Sequence, residues 1–334
     1  MVQETRDRLL KVVEQFAGRQ LAVVGDLIAD QFLYGEISRV SREAPVLVLR
    51  YRDLVRLPGG AANAANNLLD LGCRVSVAGA VGSDTAGTTM LAMLEEKGAD
   101  VRQVSRIDSY STPVKTRILA GAHHSAPQQI VRVDREARLD APHPPAWCRH
   151  PRFFRKLHGI IISDYGYGSA DPSILQALKR AGMPAGIPLV VDSRFRMNAF
   201  HGATSMTPNI TELEAATGVA IGDDARLLHR IARRVLAKQK LGSLLITQGR
   251  FGMTLVQPQV KPIHIPIFGT DEVADVTGAG DTVIAVFAAA LACGSSAEDG
   301  ARLANYAAGI VVMKRGTATV SREELAAAIR EDLK

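Results

Sequence analysis

The chain has 334 residues, of which 47% are apolar and 22% are charged, and its net charge is +6. This composition is typical of a globular protein and excludes disordered and fibrous classes. Aromatic residues make up only 5% and the basic residues are dispersed, so no stacking platform for nucleic acid is indicated, whereas a mild positive surplus suits small anionic substrates.

The cysteines and the apolar runs indicate the cellular compartment in which the protein works. Cys73, Cys148 and Cys293 are widely spaced and form no Cys-x-x-Cys pair, so neither a disulfide framework nor a zinc site is indicated. Residues 1–20 have the spacing of an amphipathic helix and lack the apolar core of a signal peptide. The longest apolar run, 283–293, is shorter than the roughly 18 residues of a membrane span. We expect a cytoplasmic protein without membrane contact.

In chain order, apolar strands alternate with helical segments. The predicted strands lie at 21–26, 74–79, 159–163, 188–192, 203–206 and 243–247. A helix rich in small residues and asparagine is predicted at 60–71, and helices separate most of the later strands. Continuous apolar strands with crossover helices predict an α/β fold, a doubly wound and mostly parallel sheet with helices on both faces. We expect one domain over 1–334.

Two segments interrupt this alternation. Residues 31–56 and 111–135 contain period-two patterns that are typical of antiparallel strands. We interpret them as a small β lid that stands off the main sheet, with the His123–His124 pair in an exposed loop. The proline-rich piece at 142–145 is interpreted as a linker into the next helix.

Polar residues follow several predicted strands. They are Asp26, Asp164, Asp192, Asn209 and Thr247. Each one alone is most simply a turn former or a helix cap. The carboxyl ends of parallel strands meet at one edge of a sheet, where sheets of this kind bind their ligands. The five residues together therefore predict a site at that edge.

The glycine-rich stretch 275–282, Asp-Val-Thr-Gly-Ala-Gly-Asp-Thr, directly precedes the apolar run. A glycine-rich turn that opens a helix presents unpaired N–H groups and the positive end of the helix dipole to an anion. The carboxylate of Asp281 fits beside an anion if it takes a proton from a hydroxyl that attacks a bound phosphoryl group. For these few residues alone, a turn in which Asp281 caps the helix is an equally good interpretation.

The chain contains no Gly-x-x-x-x-Gly-Lys-Ser/Thr phosphate loop, no Gly-x-Gly-x-x-Gly after the first strand, and no hydrolase or His-Glu-x-x-His motif. It resembles the ribokinase-like (PfkB) carbohydrate kinases over nearly its whole length. Three motifs carry the resemblance: a Gly-Gly signature at 58–65, Asn-x-x-Glu at 209–212, and Asp-x-Thr-Gly-Ala-Gly-Asp at 275–281. The resemblance implies an ATP-dependent sugar kinase that uses Mg²⁺.

Within that family the chain is similar to the kinases of D-glycero-β-D-manno-heptose 7-phosphate, lipopolysaccharide-precursor enzymes that make the 1,7-bisphosphate. The residues that carry this similarity include Tyr34-Gly35, Glu43-Ala44-Pro45, Gln128-Gln129 and Ser163-Asp164-Tyr165. In bifunctional members a nucleotidyltransferase domain follows the kinase. Here the chain stops after a helix at 322–333 that Ser321 and Glu324 are able to cap, so we expect a stand-alone kinase.

The resemblance also implies roles for individual residues. Asp281 would be the catalytic base, and the N–H groups of Gly278, Ala279 and Gly280 would stabilise the transferring phosphoryl group. Asn209 and Glu212 would organise Mg²⁺, with Glu212 acting through water; alternatively, Asn209 only caps the helix at 210–217. The nucleotide side would consist of Thr247, Gly249, Gly252, Thr277, Asn305, Ala308 and Val312.

On the sugar side, two sets of residues are implied. The first would contact sugar hydroxyls and consists of Asp26, Gly59, Gly60, Asn63, Asp164 and Asp192. The second, Lys115, Arg117, Arg132 and Arg194, contains candidates for a phosphate on the substrate, although each alone is an ordinary surface cation. The chain has Asp192-Ser193-Arg194 where the subgroup typically has Asp-Pro-Lys, so a different substrate stays open.

Three functions are therefore open on the sequence: a heptose 7-phosphate kinase, a kinase of the same mechanism for another sugar or a nucleoside, and a non-catalytic sugar- or nucleotide-binding protein. An intact base and Asn-x-x-Glu motif argue against the third. In relatives the lids of two subunits clasp each other, which implies a homodimer.

Overall fold

A computed structural model describes residues 2–121, 127–140, 154–269 and 274–333. Cys148, the His123–His124 pair and the linker expected at 142–145 lie outside these ranges. The helices are α1 (Val2–Glu14), α2 (Ala61–Asp70), α3 (Thr85–Glu96), α4 (Ser173–Arg180), α5 (Ile210–Thr217), α6 (Ala225–Gln239), α7 (Ala279–Ala292), α8 (Ala297–Val312) and α9 (Arg322–Asp332). The strands are β1 (Gln20–Gly25), β2 (Leu27–Val40), β3 (Leu47–Gly60), β4 (Arg74–Gly82), β5 (Asp100–Ile107), β6 (Val114–Gly121), β7 (Gln128–Arg135), β8 (Gly159–Asp164), β9 (Leu189–Ser193), β10 (Ser205–Met206), β11 (Ser243–Thr247), β12 (Met253–Val256) and β13 (Ile263–Ile265).

The larger sheet has the strand order β13-β12-β11-β10-β9-β8-β1-β4-β5. Neighbours from β11 to β5 pair in parallel, and β12 and β13 add an antiparallel edge. In β1, Leu21 and Val23 pack into one core cluster, whereas Ala22 and Val24 pack into the other. Both faces are buried, which explains the continuous apolar strands. The predicted doubly wound α/β fold is confirmed, while β5, β12 and β13 are additions to the predicted strands.

Helix α7 lies at the centre of the first core cluster. Almost every residue from Asp281 to Ala290 is buried, because α7 packs between the main sheet, α2 and α8. An all-round apolar helix of this kind belongs in the core of a large protein. No helix in the described part of the chain has both the length and the apolar composition to cross a membrane.

The predicted convergence of polar strand ends is confirmed. Thr247, Asn209, Asp192, Asp164 and Asp26 lie at or just beyond the carboxyl ends of β11, β10, β9, β8 and β1, which are consecutive neighbours in the sheet. A parallel bridge between Asn209 and Thr247 closes the row at one end. The row lies along the carboxyl edge of the sheet.

The segments with period-two patterns form a separate four-stranded sheet with the order β3-β2-β6-β7, which we call the small sheet. Only Asp26 separates the end of β1 from the start of β2, and β3 runs directly into α2. The small sheet is thus anchored at the carboxyl edge of the main sheet. It leaves a group of large apolar side chains exposed: Ile37, Val40, Val46, Leu47, Tyr51, Ile130, Val131 and Val133.

Local chemistry agrees with the sequence at several further positions. Cys73 and Cys293 are free thiols. Ser321 and Glu324 form the expected capping box at the start of α9. At the junction of β3 and α2, Gly60 has φ 56° and ψ −132°, a combination that is close to exclusive to glycine. A methyl group on Gly60 would lie 2.8 Å from the carbonyl oxygen of Asp26.

We predict that Gly60→Ala lowers the free energy of unfolding by about 3 kcal/mol or more, because backbone strain and a backbone clash add. Gly18→Ala is the matched control: Gly18 also has a positive φ, 75°, but a methyl group there meets no atom within 4 Å. It should cost only about 1 kcal/mol. Denaturant unfolding of both variants measures the difference, and equal losses would contradict the packing argument.

Candidate active site

Helix α7 begins at the glycine-rich stretch. Gly278 is its N-cap, in a left-handed conformation with φ 79°. The N–H of Ala279 donates to the carbonyl of Val276 at 3.3 Å, whereas helix geometry provides no acceptor for the N–H groups of Gly280 and Asp281. Gly280 is exposed, and a methyl group there would meet no atom within 4 Å. The start of α7 is therefore an open, positively polarised site for an anion.

The carboxylate of Asp281 is buried beside this helix start, with 3% of the residue exposed. The amide nitrogen of Asn63 donates to Oδ2 at 3.0 Å, and the phenol of Tyr165 donates to Oδ1 at 2.9 Å. Burial raises the pKa of Asp281 to about 7, while these two hydrogen bonds oppose the increase. A carboxylate with a pKa near neutrality is well matched to accepting a proton at physiological pH.

A row of amides supports the carboxylate from α2. Asn67 donates to Oδ1 of Asn63 at 3.2 Å, and the hydroxyl of Thr282 donates to Oδ1 of Asn67 at 3.0 Å. Asn63 and Asn67 are fully buried. The side chain of Asn63, predicted to contact sugar hydroxyls, thus lies against Asp281 in this structure, and Asn67 is a supporting residue that the sequence analysis missed.

Two of the strand-end carboxylates are occupied within the protein. Asp26 is 1% exposed and accepts backbone N–H bonds from Tyr165, Tyr167 and Ser169 at 2.8, 3.0 and 2.8 Å. Asp164 accepts from the guanidinium of Arg196 at 2.5 and 3.1 Å. The structure places both carboxylates beneath the loop that follows β8, so they organise this loop.

A further buried acid, Asp30, lies next to Gly59. Asp30 accepts from Arg117 at 2.7 Å and from the hydroxyl of Thr317 at 2.9 Å. A methyl group on Gly59 would lie 2.5 Å from the carboxylate of Asp30, so the glycine makes room for the acid. The predicted phosphate candidate Arg117 is buried in this ion pair. Asp30 was missed because its partner is remote in sequence, although its short spacing from Asp26 was a usable signal.

A cavity of about 590 Å³ lies between the small sheet and the loops after β8 and β9. Its lining contains Lys115, Arg132, Arg138, Arg194 and Arg196. Arg196 is paired with Asp164, and the exposed Arg132 is paired with Asp134 at 2.9 Å. Among the described residues, Lys115, Arg138 and Arg194 have no carboxylate partner. We call this cation-lined space the first cavity.

Lys115 is the most deeply buried cation of the first cavity, with 8% of the residue exposed. Burial lowers its pKa, and the positive charge of Arg194 lowers it further. Its ammonium group lies 4.7 Å from the ring centre of Tyr165. Cations that disfavour each other in this way are stabilised by a shared anion, so the first cavity is suited to an anionic ligand. Arg138 was missed because it lies outside the predicted lid strands.

A middle cavity of about 440 Å³ is lined by Asp192, Glu212, Asn209 and Thr207, among others. Burial raises the pKa of Asp192, and the negative charge of Glu212 raises it further. The pKa of Glu212 is also raised by burial. Asn209 and Glu212 form the capping box of α5, with hydrogen bonds of 2.8 and 2.9 Å. Asn209 thus caps α5, and the capping box leaves one oxygen of Glu212 available; the role of Asn209 towards Mg²⁺ stays a prediction.

The carboxylates of Asp192 and Glu212 are suited to binding a divalent cation. Two crowded carboxylates that face one cavity gain from a shared positive charge, and Mg²⁺ prefers oxygen ligands while keeping most of its waters. The described chain contains no group of three or more His, Cys, Asp or Glu side chains placed to hold a metal. A cation here would be bound by few protein groups.

The third cavity, of about 220 Å³, is predominantly apolar. It brings together six of the seven residues predicted for the nucleotide side: Thr247, Gly249, Gly252, Asn305, Ala308 and Val312. Ile267 and Phe268, which were not predicted, complete it. The seventh residue, Thr277, donates its N–H to Asp275 at 2.9 Å and so shapes the stretch before α7.

The three cavities form one continuous cleft. The first and middle cavities share Tyr165 and Arg194, and the middle and third cavities share Thr247 and Gly280. Asp281 and the start of α7 lie at the centre. The cleft thus runs from a cationic end through an acidic middle to an apolar end.

Comparisons with known proteins agree with this arrangement. A family model described as pfkB family carbohydrate kinase matches residues 19–324. The protein is 45% identical over 313 residues to the bifunctional protein HldE of Geobacter metallireducens, covering 91% of this chain and 61% of the relative. It is 38% identical over 320 residues to the HldE protein of Caulobacter sp., covering 96% and 64%. The chain therefore spans about three fifths of the length of these curated relatives.

Solved structures show the same fold. Arabidopsis thaliana ribokinase, complexed with ribose and ATP, superposes with a TM-score of 0.73 at 21% identity, covering 94% of this chain and 99% of that one. Escherichia coli phosphofructokinase-2, in complex with potassium, gives a TM-score of 0.70 at 16% identity, covering 94% and 99%.

We predict that Gly278→Ala destabilises the protein, because position 278 has no room for a methyl group and has a left-handed backbone conformation. Its methyl group would lie 2.6 Å from the amide nitrogen of Asn63 and 2.8 Å from Thr317, and the left-handed φ adds strain. We expect a loss of about 2 to 4 kcal/mol in unfolding free energy. Gly280→Ala is the control, because its methyl group meets nothing within 4 Å and its stability should change by less than about 1 kcal/mol. Thermal unfolding of both variants measures the two losses of stability. A Gly278→Ala variant as stable as the wild type would contradict the close contact with Asn63 and Thr317.

Proposed function

Because the chain belongs to the pfkB family of carbohydrate kinases, we propose that it transfers the γ-phosphoryl group of ATP to a hydroxyl of a phosphorylated sugar. The acceptor is proposed to be D-glycero-β-D-manno-heptose 7-phosphate, and the product its 1,7-bisphosphate. One observation carries the proposal: the buried carboxylate of Asp281, with a pKa of about 7, lies at an open helix start between a cationic cavity and an apolar one.

The geometry supports a simple sequence of bond changes. The acceptor hydroxyl gives its proton to Asp281 as its oxygen bonds to the γ-phosphorus, and the bond from that phosphorus to the β,γ-bridging oxygen breaks. The N–H groups at Gly280 and Asp281 face the charge that spreads over the phosphoryl oxygens, and they need no reorganisation during the reaction. The leaving ADP carries away the electron pair of the broken bond.

The acidic middle of the cleft is proposed to hold Mg²⁺. Glu212, through its uncapped oxygen and a water, and Asp192 would hold it. When bound, the ion supplies positive charge to the phosphate oxygens. Asp192 and Glu212 line the middle cavity together with Gly280 at the start of α7.

The unpaired cations of the first cavity support a phosphorylated acceptor. Arg194 offers a planar fork that matches phosphate geometry, and Lys115 adds a compact positive charge. Arg194 lines both the first and the middle cavity, so a sugar phosphate bound by these cations would lie next to the start of α7 and direct a hydroxyl towards Asp281. An unphosphorylated sugar would leave these cations uncompensated.

The choice of heptose rests on the motifs in the small sheet and at the end of β8. The similarity to the HldE proteins, which covers 91% of this chain for one of them, supports this choice. Ser193 departs from the usual pattern: its hydroxyl donates to Asp164 at 2.6 Å and accepts from the N–H of Arg196 at 3.0 Å. A proline could make neither bond, so the wall that carries Arg194 is held in this chain by contacts that the usual sequence lacks. A different sugar phosphate is the second candidate for this reason.

We also propose a homodimer in the cytoplasm, where ATP and sugar phosphates are available. The exposed apolar side chains of the small sheet, including Val46, Tyr51 and Val131, support association, since a patch of this kind marks an interaction surface. A second copy would bury it and fix the small sheet over the first cavity.

A substrate panel tests the proposed reaction. Consumption of ATP with Mg²⁺ is measured with heptose 7-phosphate, fructose 6-phosphate, ribose and adenosine. We expect the highest kcat/KM with heptose 7-phosphate. A higher kcat/KM with another member of the panel would identify that compound as the acceptor instead. The absence of turnover with all of them would favour a binding protein of the same fold.

Arg194→Ala should raise the KM for the sugar phosphate by about tenfold or more, because a charged hydrogen bond to phosphate is lost, and should leave the KM for ATP nearly unchanged. Arg132→Ala is the matched control: Arg132 lines the same cavity but is paired with Asp134, so its effect should stay below about threefold. If both variants kept the wild-type KM, the first cavity would not be the phosphate site.

A further inference from the structure

Tyr165 lies in the cleft beside Asp281, and the proposed reaction assigns it no role. It directly follows β8, and its side chain lines both the first and the middle cavity. Its hydroxyl donates to Oδ1 of Asp281 at 2.9 Å. Its ring lies beneath Lys115, with the ammonium group 4.7 Å from the ring centre. One side chain thus contacts the base and a cation of the first cavity.

The backbone of Tyr165 is fixed as firmly as its side chain. Asp26, at the end of β1, accepts N–H bonds from Tyr165, Tyr167 and Ser169 at 2.8 to 3.0 Å. A carboxylate that accepts three backbone bonds is a strong organiser of a loop. Because Asp26 is 1% exposed, water does not compete for these bonds. The loop after β8 therefore holds Tyr165 in a single position.

The carboxylate of Asp281 has one fixed donor on each oxygen. Tyr165 donates to Oδ1, and Asn63 donates to Oδ2 at 3.0 Å. The two donors come from opposite sides, one from the loop after β8 and one from α2. A carboxylate held in this way cannot rotate about its Cβ–Cγ bond without losing both bonds, so its remaining lone pairs keep a constant direction.

We propose that Tyr165 is a positioning residue for the base: together with Asn63 it fixes the plane of the Asp281 carboxylate, and Asp26 holds Tyr165 in place for this task. The inference rests on the proposed function, since it assigns Tyr165 to the same reaction. It also gives Asp26 a role in organising the loop, in place of the contact with a sugar hydroxyl that the resemblance implies.

The hydrogen bond from Tyr165 also changes the pKa of Asp281. Burial raises the pKa of Asp281, and the hydrogen bonds from Asn63 and Tyr165 lower it. The charged groups that face the carboxylate are Asp30, which raises the pKa, and Lys115, which lowers it; Asp192 is a further nearby negative charge. Burial and the charge of Asp281 raise the pKa of Tyr165 above its usual value, so the phenol remains a donor. Loss of its hydroxyl should therefore raise the pKa of Asp281.

The test is Tyr165→Phe, which keeps the ring and removes the donor. An ionised base is required for proton transfer, so wild-type kcat/KM should rise with pH through the pKa of Asp281, about 7. In the variant this acidic limb should move upward by about one pH unit, and the rate should recover at higher pH. Tyr167→Phe is the matched control: its hydroxyl bonds to Glu136, so the midpoint of its acidic limb should stay in place.

A second measurement needs no substrate. The ¹³Cγ resonance of Asp281, in aspartate-labelled protein and assigned with Asp281→Asn, is titrated in the wild type and in Tyr165→Phe. An upward move of the titration midpoint in the variant supports the proposal, and an unmoved midpoint overturns it. A kcat/KM reduced by the same factor at every pH would also overturn it. The absence of wild-type turnover would instead refute the proposed function, while the titration would still decide on the contact between Tyr165 and Asp281.

Discussion

The arrangement of this cleft depends on the burial of the Asp281 carboxylate. Asp281 lies in the first turn of a helix whose other residues form the centre of the core, so the chain must bury a charge in order to bury that helix. The donors that offset this burial come from α2 and from the loop after β8. Both α2 and the loop after β8 therefore have to be in place before the carboxylate has its partners. Folding and catalytic competence are coupled through the same few hydrogen bonds.

The charges along the cleft change in a definite order. Cations without a carboxylate partner among the described residues line the first cavity, the carboxylates of Asp192, Glu212 and the Arg196-paired Asp164 line the middle one, and apolar side chains dominate the third. This order matches the ligands of the proposed reaction. The phosphate of the acceptor would lie at the cationic end, a divalent cation beside the triphosphate in the middle, and the planar adenine ring at the apolar end. Asp281 lies where the first two regions meet the start of α7. A non-catalytic binding protein would have no need for the base that we propose at this point.

Much of the arrangement follows from local rules. The glycine-rich stretch predicts an anion site because helix starts lack acceptors, and Asn305, Ala308 and Val312 share one cavity because they lie on one face of α8. The partners of the buried acids follow from no local rule. Asp30 meets Arg117 across 87 positions, and Asp26 bonds to a loop more than a hundred residues away. Such contacts depend on strand order and register, which short motifs do not encode.

The most direct test of this account is the rate of phosphoryl transfer by Asp281→Asn, compared with the wild type over roughly pH 5 to 9. The amide keeps the shape of the side chain and removes the proton acceptor. The account predicts that the wild-type rate rises through a pH of about 7. The variant should be slower by a factor of about a hundred to ten thousand, without that rise. A variant that retains the wild-type rate and pH profile would contradict the assignment of Asp281 as the base.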